Sequence, residues 1–202
     1  MDKRKEEIVE VALRRFCHYG FNKTTMNEIA EDMKITKANL YYYYQDKSAL
    51  IRDVIATVAD ELFGKEQALI DSYTHDLMST LYEILELRAA YLSKYYMLHI
   101  DENLEWIKGV EVASVIEELY QRDISIVKEL FTKSVGIGDV RIRDIDEASV
   151  SFVEIMKALG IMHNVQDIMS GIPNKDNICH IVDSQRRAIR LIFEERIVTN
   201  SK

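Results

Sequence analysis

Apolar positions recur with helical spacing along most of the chain. Val9, Ala12, Leu13 and Phe16 fall at i, i+3, i+4 and i+7, the stripe of an amphipathic helix. Gly20 follows as the residue that ends it, and Phe21 stands where an apolar contact closes such an end. Thr25-Met-Asn-Glu28 has the form of a capping box and starts a short helix through Ile29, Ala30 and Met33. A break at Lys34-Ile35 follows. Thr36 can then cap a second short helix holding Leu40 and Tyr44. From Lys47 a longer helix, over residues 47–63, puts Leu50, Ile51, Val54, Ile55, Val58 and Leu62 on one face. Further helices are expected near 75–99, 102–108, 111–135, 145–169 and 176–197, with loops at Gly136–Asp139 and Gly171–Asn174. No run alternates at period two, so the expected class is all-α.

Composition narrows this further. One proline and seven glycines favour long unbroken helices over a turn-rich β fold. Hydrophobic residues at 48% and charged residues at 30% are those of a folded globular chain and argue against disorder. Cys17 and Cys179 form neither a metal-ligand spacing nor a disulfide framework, and a reduced, cytoplasmic location is the simplest expectation. No signal peptide is expected, since no apolar run follows a basic start, and no apolar run reaches the roughly 18 residues a membrane span needs. The formal net charge of −8 speaks against nucleic acid until its distribution is read. In residues 1–50, nine Lys and Arg against eight Asp and Glu leave +1. The remainder carries −9, so the acidity lies outside the N-terminal quarter. An acidic body would weaken non-specific attraction to phosphate without preventing a local contact.

Residues 25–44 place two short helices around a tight turn, the spacing of a helix-turn-helix whose second helix can enter the major groove. Leu40 and Tyr44, four apart, would pack on the first helix, leaving Lys37, Ala38, Tyr41 and Tyr42 largely on the other side. Lys37 can donate to guanine or phosphate, and Asn39 carries the amide that can pair with adenine. Tyrosine hydroxyls and Lys47, at the start of the next helix, can reach phosphate oxygens. Two blander accounts compete. Four consecutive tyrosines can cover a core, and short helix pairs occur in proteins that never meet DNA.

The run from Gly20 through Thr24-Thr25, Ile29-Ala30, Ile35-Thr36, Leu40-Tyr41, Tyr43-Tyr44 and Lys47 to Leu50 resembles the TetR-family DNA-binding domain. The likeness covers roughly residues 5–55. It departs from the family pattern at Lys34, where glycine is usual in the turn, at Ala38 (commonly Gly) and at Tyr44 (commonly Phe). Asn39 stands where Thr or Ala is frequent, which bears on which base is read. A left-handed backbone at Lys34 would cost a lysine what glycine avoids. The resemblance implies that Thr25, Tyr43 and Lys47 contact phosphate. It places Asn27, Lys37, Asn39, Tyr41 and Tyr42 at the groove, and makes Thr36 a cap that also touches phosphate.

The same resemblance implies a three-helix head at residues 1–46 and a larger helical ligand-binding and dimerisation domain at 47–202. The implied protein is a ligand-responsive repressor that binds a pseudo-palindromic double-stranded DNA operator as a homodimer. Residues 145–169 and 176–197 would then form the four-helix dimer interface, although their apolar stripes could equally fill the monomer core. For a small hydrophobic effector, Tyr82, Tyr91, Tyr95, Trp106, Tyr120, Phe131 and Met156 are candidates, since an apolar cavity with tyrosine hydroxyls suits a flat molecule. Each is also an ordinary core residue. His99 near Asp101 and Glu102 has no firm ligand spacing, so no metal and no cofactor is expected. No phosphate loop or nucleophile motif supports an enzyme. A helical interaction module that has lost DNA binding is the other alternative, and the acidic net charge is its best support.

Overall fold

The computed structural model describes residues 2–95, 110–170 and 176–197, with side chains described over 2–95, 114–165 and 176–197. These residues form α1 (Lys3–Lys23), α2 (Met26–Asp32), α3 (Lys37–Tyr43), α4 (Lys47–Asp71), α5 (Leu77–Lys94), α6 (Val110–Gly136), α7 (Ile145–Ser170) and α8 (Asn177–Phe193). Their β content is one isolated antiparallel bridge, Val140 with Ile197, so the all-α expectation holds. The helix expected at 102–108, with Trp106, lies outside the described residues. α4 begins where expected at Lys47 but runs on to Asp71, two turns past the anticipated end.

The chain divides into two compact units and passes from one to the other first inside α4, between Glu61 and Leu62, then after α5 and inside α6 and α7. In the first unit, Ile8, Val9, Ala12 and Phe16 of α1 meet Ile29 and Ala30 of α2, Leu40 of α3 and Leu50, Ile51 and Val54 of α4. Phe16, Ile29, Leu40 and Leu50 are fully buried, each contributing about 1.5–3 kcal/mol by leaving water. α1 is broken at Gly20, whose φ of 80° and ψ of 167° lie outside helical space. The break lets Phe21 turn back onto Phe16, ring centroids 4.9 Å apart and edge to face. Buried Thr24 donates its hydroxyl to the carbonyl of Gly20 at 3.0 Å.

In the second unit the rings of Phe131 (α6), Phe152 (α7) and Phe193 (α8) gather within 5.5–6.0 Å of one another. The loop before α5 is fastened by Asp139, whose carboxylate accepts from the Tyr73 hydroxyl and, at 2.8 Å, from the backbone N–H of Leu77. Asp76 caps α5 by accepting from the N–H of Ser79 at 3.1 Å.

Candidate functional site

The helix-turn-helix is built from local hydrogen bonds that the sequence dictates. The Thr25 oxygen accepts from the N–H of Glu28 at 3.3 Å. The Glu28 carboxylate accepts in return from the N–H of Thr25 at 2.7 Å, and from its hydroxyl at 2.8 Å, which completes the capping box. Those bonds to Thr25 hold the Glu28 carboxyl below its ordinary value. Arg15 of α1 forks onto Asp32 and reaches Glu28 at 3.3 Å, so both α2 carboxylates are tied to α1.

α2 ends in a paired turn. The N–H of Ile35 bonds to the carbonyl of Ala30 at 3.0 Å and that of Lys34 to Glu31 at 2.9 Å, the Schellman pattern. Lys34 therefore occupies the left-handed position, with φ of 54°, and the conflict anticipated at this departure from glycine is present. Thr36 caps α3 by accepting from the N–H of Asn39 at 3.2 Å.

This geometry fixes which side of α3 faces out. Leu40 is fully buried. Tyr44 is buried too, and its hydroxyl donates to Asp53 of α4 at 2.8 Å. Burial, then the Asp53 contact, push that phenol above its usual range. On the opposite side Thr36, Lys37, Asn39, Tyr41 and Tyr42 are exposed, as are Thr25 and Asn27 of the preceding cap and helix. Tyr42 is 84% exposed, far beyond what a ring covering a core would show. The side-chain amides of Asn27 and Asn39 make no hydrogen bond among the described residues. The Lys37 ammonium lies 5.7 Å from the Tyr41 ring centre. Tyr43 is half-buried against the core, with its ring edge to face against Tyr42.

Lys47 differs from the other candidates. Its Nζ donates to the carbonyls of Phe21 at 2.9 Å and Thr24 at 3.1 Å, stapling the end of α1 to the start of α4. Burial lowers its pKa from the ordinary lysine value. Two of its three N–H groups are thus engaged within the protein.

The second unit contains a cavity of about 190 Å³ between α5, α6, α7 and α8. Leu81, Ile84 and Leu85 of α5, Ile126 and Leu130 of α6, Phe152 and Met156 of α7, and Ile181 of α8 form its apolar wall. Of the six described residues put forward for an effector (Trp106 lies outside them), only Met156 lines it. Phe131 sits in the aromatic core, and Tyr120 bonds through its hydroxyl to Glu154 at 3.1 Å. Tyr91 is buried with the Lys65 ammonium 4.9 Å from its ring centre. Tyr95 lies in the first unit, its hydroxyl 3.5 Å from Glu61. Tyr82 borders a separate shallow depression with Lys65 and Arg186. The tyrosines are not assembled around one space.

The polar wall of the cavity was missed in the sequence. It consists of Arg88, Lys157, Asn164 and Gln185. Arg88 donates Nε and Nη2 to Glu66 at 2.5 and 2.9 Å and Nη2 to Asp123 at 2.9 Å. Lys157 pairs with Asp123 at 2.6 Å. Burial works against the charge on Arg88, but the two carboxylates outweigh it and hold the guanidinium above its ordinary value. A signal existed. Arg88 follows Leu81, Ile84 and Leu85 on the same stripe, and Glu66 stands between Phe63 and Ile70 at helical spacing. Charges inside apolar stripes on different helices imply that they neutralise one another.

Comparison with known proteins adds a family match. Residues 8–54 match the profile of the bacterial regulatory proteins, tetR family. The HTH-type transcriptional repressor KstR2 of Mycolicibacterium smegmatis is 30% identical over 74 residues, which make up 37% of this chain and 36% of that one. The match therefore spans about a third of that relative's length. A transcriptional regulator from Cytophaga hutchinsonii superposes with a TM-score of 0.85 at 22% identity, covering 98% of this chain and 100% of its own. A regulator from Saccharomonospora viridis, crystallised with choline, does so with a TM-score of 0.70 at 17% identity, covering 99% and 100%. At these identities the likeness to both structures is one of fold. Residues 8–54 thus carry the segment shared by the bacterial regulatory proteins of the tetR family, and the described chain has the fold of those two regulators.

Proposed function

We propose that this chain is a ligand-responsive transcriptional repressor that binds a pseudo-palindromic operator as a homodimer. One observation carries the DNA contact. α3 is pinned from below by Leu40 and Tyr44, and everything on its other side that can touch a nucleotide is exposed. On this reading Asn27, Lys37, Asn39, Tyr41 and Tyr42 face the major groove, while Thr25, Thr36, Tyr43 and the remaining donor of Lys47 approach phosphates. Repression is carried over from the named relative, and ligand response draws support from the choline-bound neighbour and from the cavity.

The dimer has its own support. Inward positions of α7 and α8 (Phe152, Val153, Met156, Ile181, Ile189 and Phe193) fill the core. Ile155, Ile161, Met162 and Val165 of α7 and Leu191 of α8 stay exposed, an apolar surface that a second copy of these helices would cover. Two recognition helices related by a two-fold axis would read half-sites about 34–36 Å apart. No helix among the described residues is long and apolar enough to cross a membrane.

Selection of bound sequences from a random duplex pool tests the reading. A palindromic consensus is expected, and Lys37→Ala is expected to lose about 1–3 kcal/mol at one base pair if it reads guanine. If Lys37 touches only phosphate, the loss is uniform and the salt slope falls by about one. Recovery of no enriched sequence would defeat the assignment.

A further inference from the structure

The cavity wall is asymmetric in charge. Among the described residues, both titratable groups on it, Arg88 and Lys157, are cations, and no carboxylate lines it. The balancing anions sit behind them, with Glu66 0% and Asp123 5% exposed. Neither cation is saturated. Arg88 uses Nε and Nη2, while Nη1, with two N–H groups, has no partner among the described residues. The Arg88 side chain is 31% exposed although its partner Glu66 is fully covered, and it lines the cavity. Lys157 spends one contact on Asp123. The amides of Asn164 and Gln185 share the wall, and the Gln185 Nε2 is fixed to the carbonyl of Met156 at 2.9 Å. The rest is aliphatic, with Phe152 as the aromatic member.

We infer that the cavity takes a small amphiphile with an aliphatic body and a carboxylate-type anionic head, received by Nη1 of Arg88 and Nζ of Lys157. This deepens, and rests on, the reading of the chain as a ligand-responsive regulator. A flat aromatic ligand finds few partners among Leu and Ile side chains. A quaternary ammonium would need an aromatic cage and would meet two cations instead. At about 190 Å³ the space is smaller than the ~300–1,000 Å³ typical for drug-sized ligands, so the body is short. An anionic head adds a third negative charge to a balanced set of two cations and two carboxylates. It pulls on the same two cations as Asp123 and Glu66, through N–H groups those carboxylates leave free. Glu66 belongs to α4, the helix that starts at Lys47, and it cannot stay buried with its partner's grip loosened at no cost. Arg88 is then the positioning residue that makes α4 feel the head group.

Calorimetric titration of the full chain with octanoate, octanol and octyltrimethylammonium tests this, with hexanoate and decanoate to set the length. Octanoate is expected to bind at least about tenfold tighter than octanol, the worth of a charge-assisted contact, and the ammonium not to bind. Lys157→Met leaves buried Asp123 with Arg88 alone and should cost some melting temperature, and it should bring octanoate down toward octanol while octanol binding itself is unchanged, which shows that the cavity survives. Hydrogen exchange of α4 amides around Glu66 should change with octanoate and not with octanol. Equal binding of octanoate and octanol, preference for the ammonium, or no binding by any of the three overturns the inference. Operator selection is scored separately. Octanoate binding by a protein that selects no DNA would defeat the regulator reading alone, and the converse result would defeat only the ligand class.

Discussion

Lys34 holds the turn between α2 and α3 in a conformation that costs an L side chain about 1–2 kcal/mol, and both Schellman hydrogen bonds require it. Lys34→Gly removes that cost and returns part of it as unfolded-chain entropy. The expected result is a gain of about 1 kcal/mol in thermal or denaturant melts, with base preference unchanged. A loss of stability would mean that the lysine side chain contributes more than its backbone costs. The capping box carries a pH signature. Glu28 titrates below its ordinary value of 4.5, so the folded state binds fewer protons there than the unfolded chain. Its contribution is present above that value and is lost as pH falls through the lowered one. Glu28→Gln keeps the shape of the box and removes the titration. The parent should therefore lose stability toward acid more steeply than the variant, and parallel acid limbs would count against it.

At the scale of helices, what the sequence revealed was whatever depends on near neighbours. The capping box at Thr25, the cap at Thr36 and the inward pair Leu40 and Tyr44 all follow from spacings of three or four residues, and all are found. The start of α4 at Lys47 was equally plain. Its end was not, because the apolar stripe weakens at Glu66, and only a partner from another helix makes that position buried. Lys47 shows the same limit. The sequence shows a cation at a helix start, but its bonds to Phe21 and Thr24 join residues more than 20 positions apart. For α7 and α8 the competing accounts of the stripes prove compatible, since one face packs inward and another is exposed. Met162→Glu places a charge on the outer face. It should weaken self-association by more than about tenfold in sedimentation equilibrium while leaving the intrachain core intact. An unshifted dimer would move the interface elsewhere.

Across the whole molecule, the effector site was the least legible part. Aromatic residues were weighted for their size and hydroxyls, yet Tyr82, Tyr91, Tyr95 and Tyr120 face separate surroundings, and the cavity is framed by aliphatic side chains from four helices. Which residues share a void depends on how helices distant in sequence pack, and no window of one helix contains that. The charge asymmetry was legible and has a plain physical use. On the proposed reading, an acidic body beside a near-neutral N-terminal quarter would discourage adhesion to arbitrary duplex and leave selectivity to a few exposed side chains of α3. The first passage between the two units, from Glu61 to Leu62, falls within an unbroken helix rather than a loop. A protease that needs an extended segment finds none there, so brief digestion should not cut between Glu61 and Leu62. Recombination is constrained as well. A crossover near Glu61 that gains or drops a single codon would swing the face of the remaining helix by about 100°, so functional hybrids among relatives should preserve length at that breakpoint.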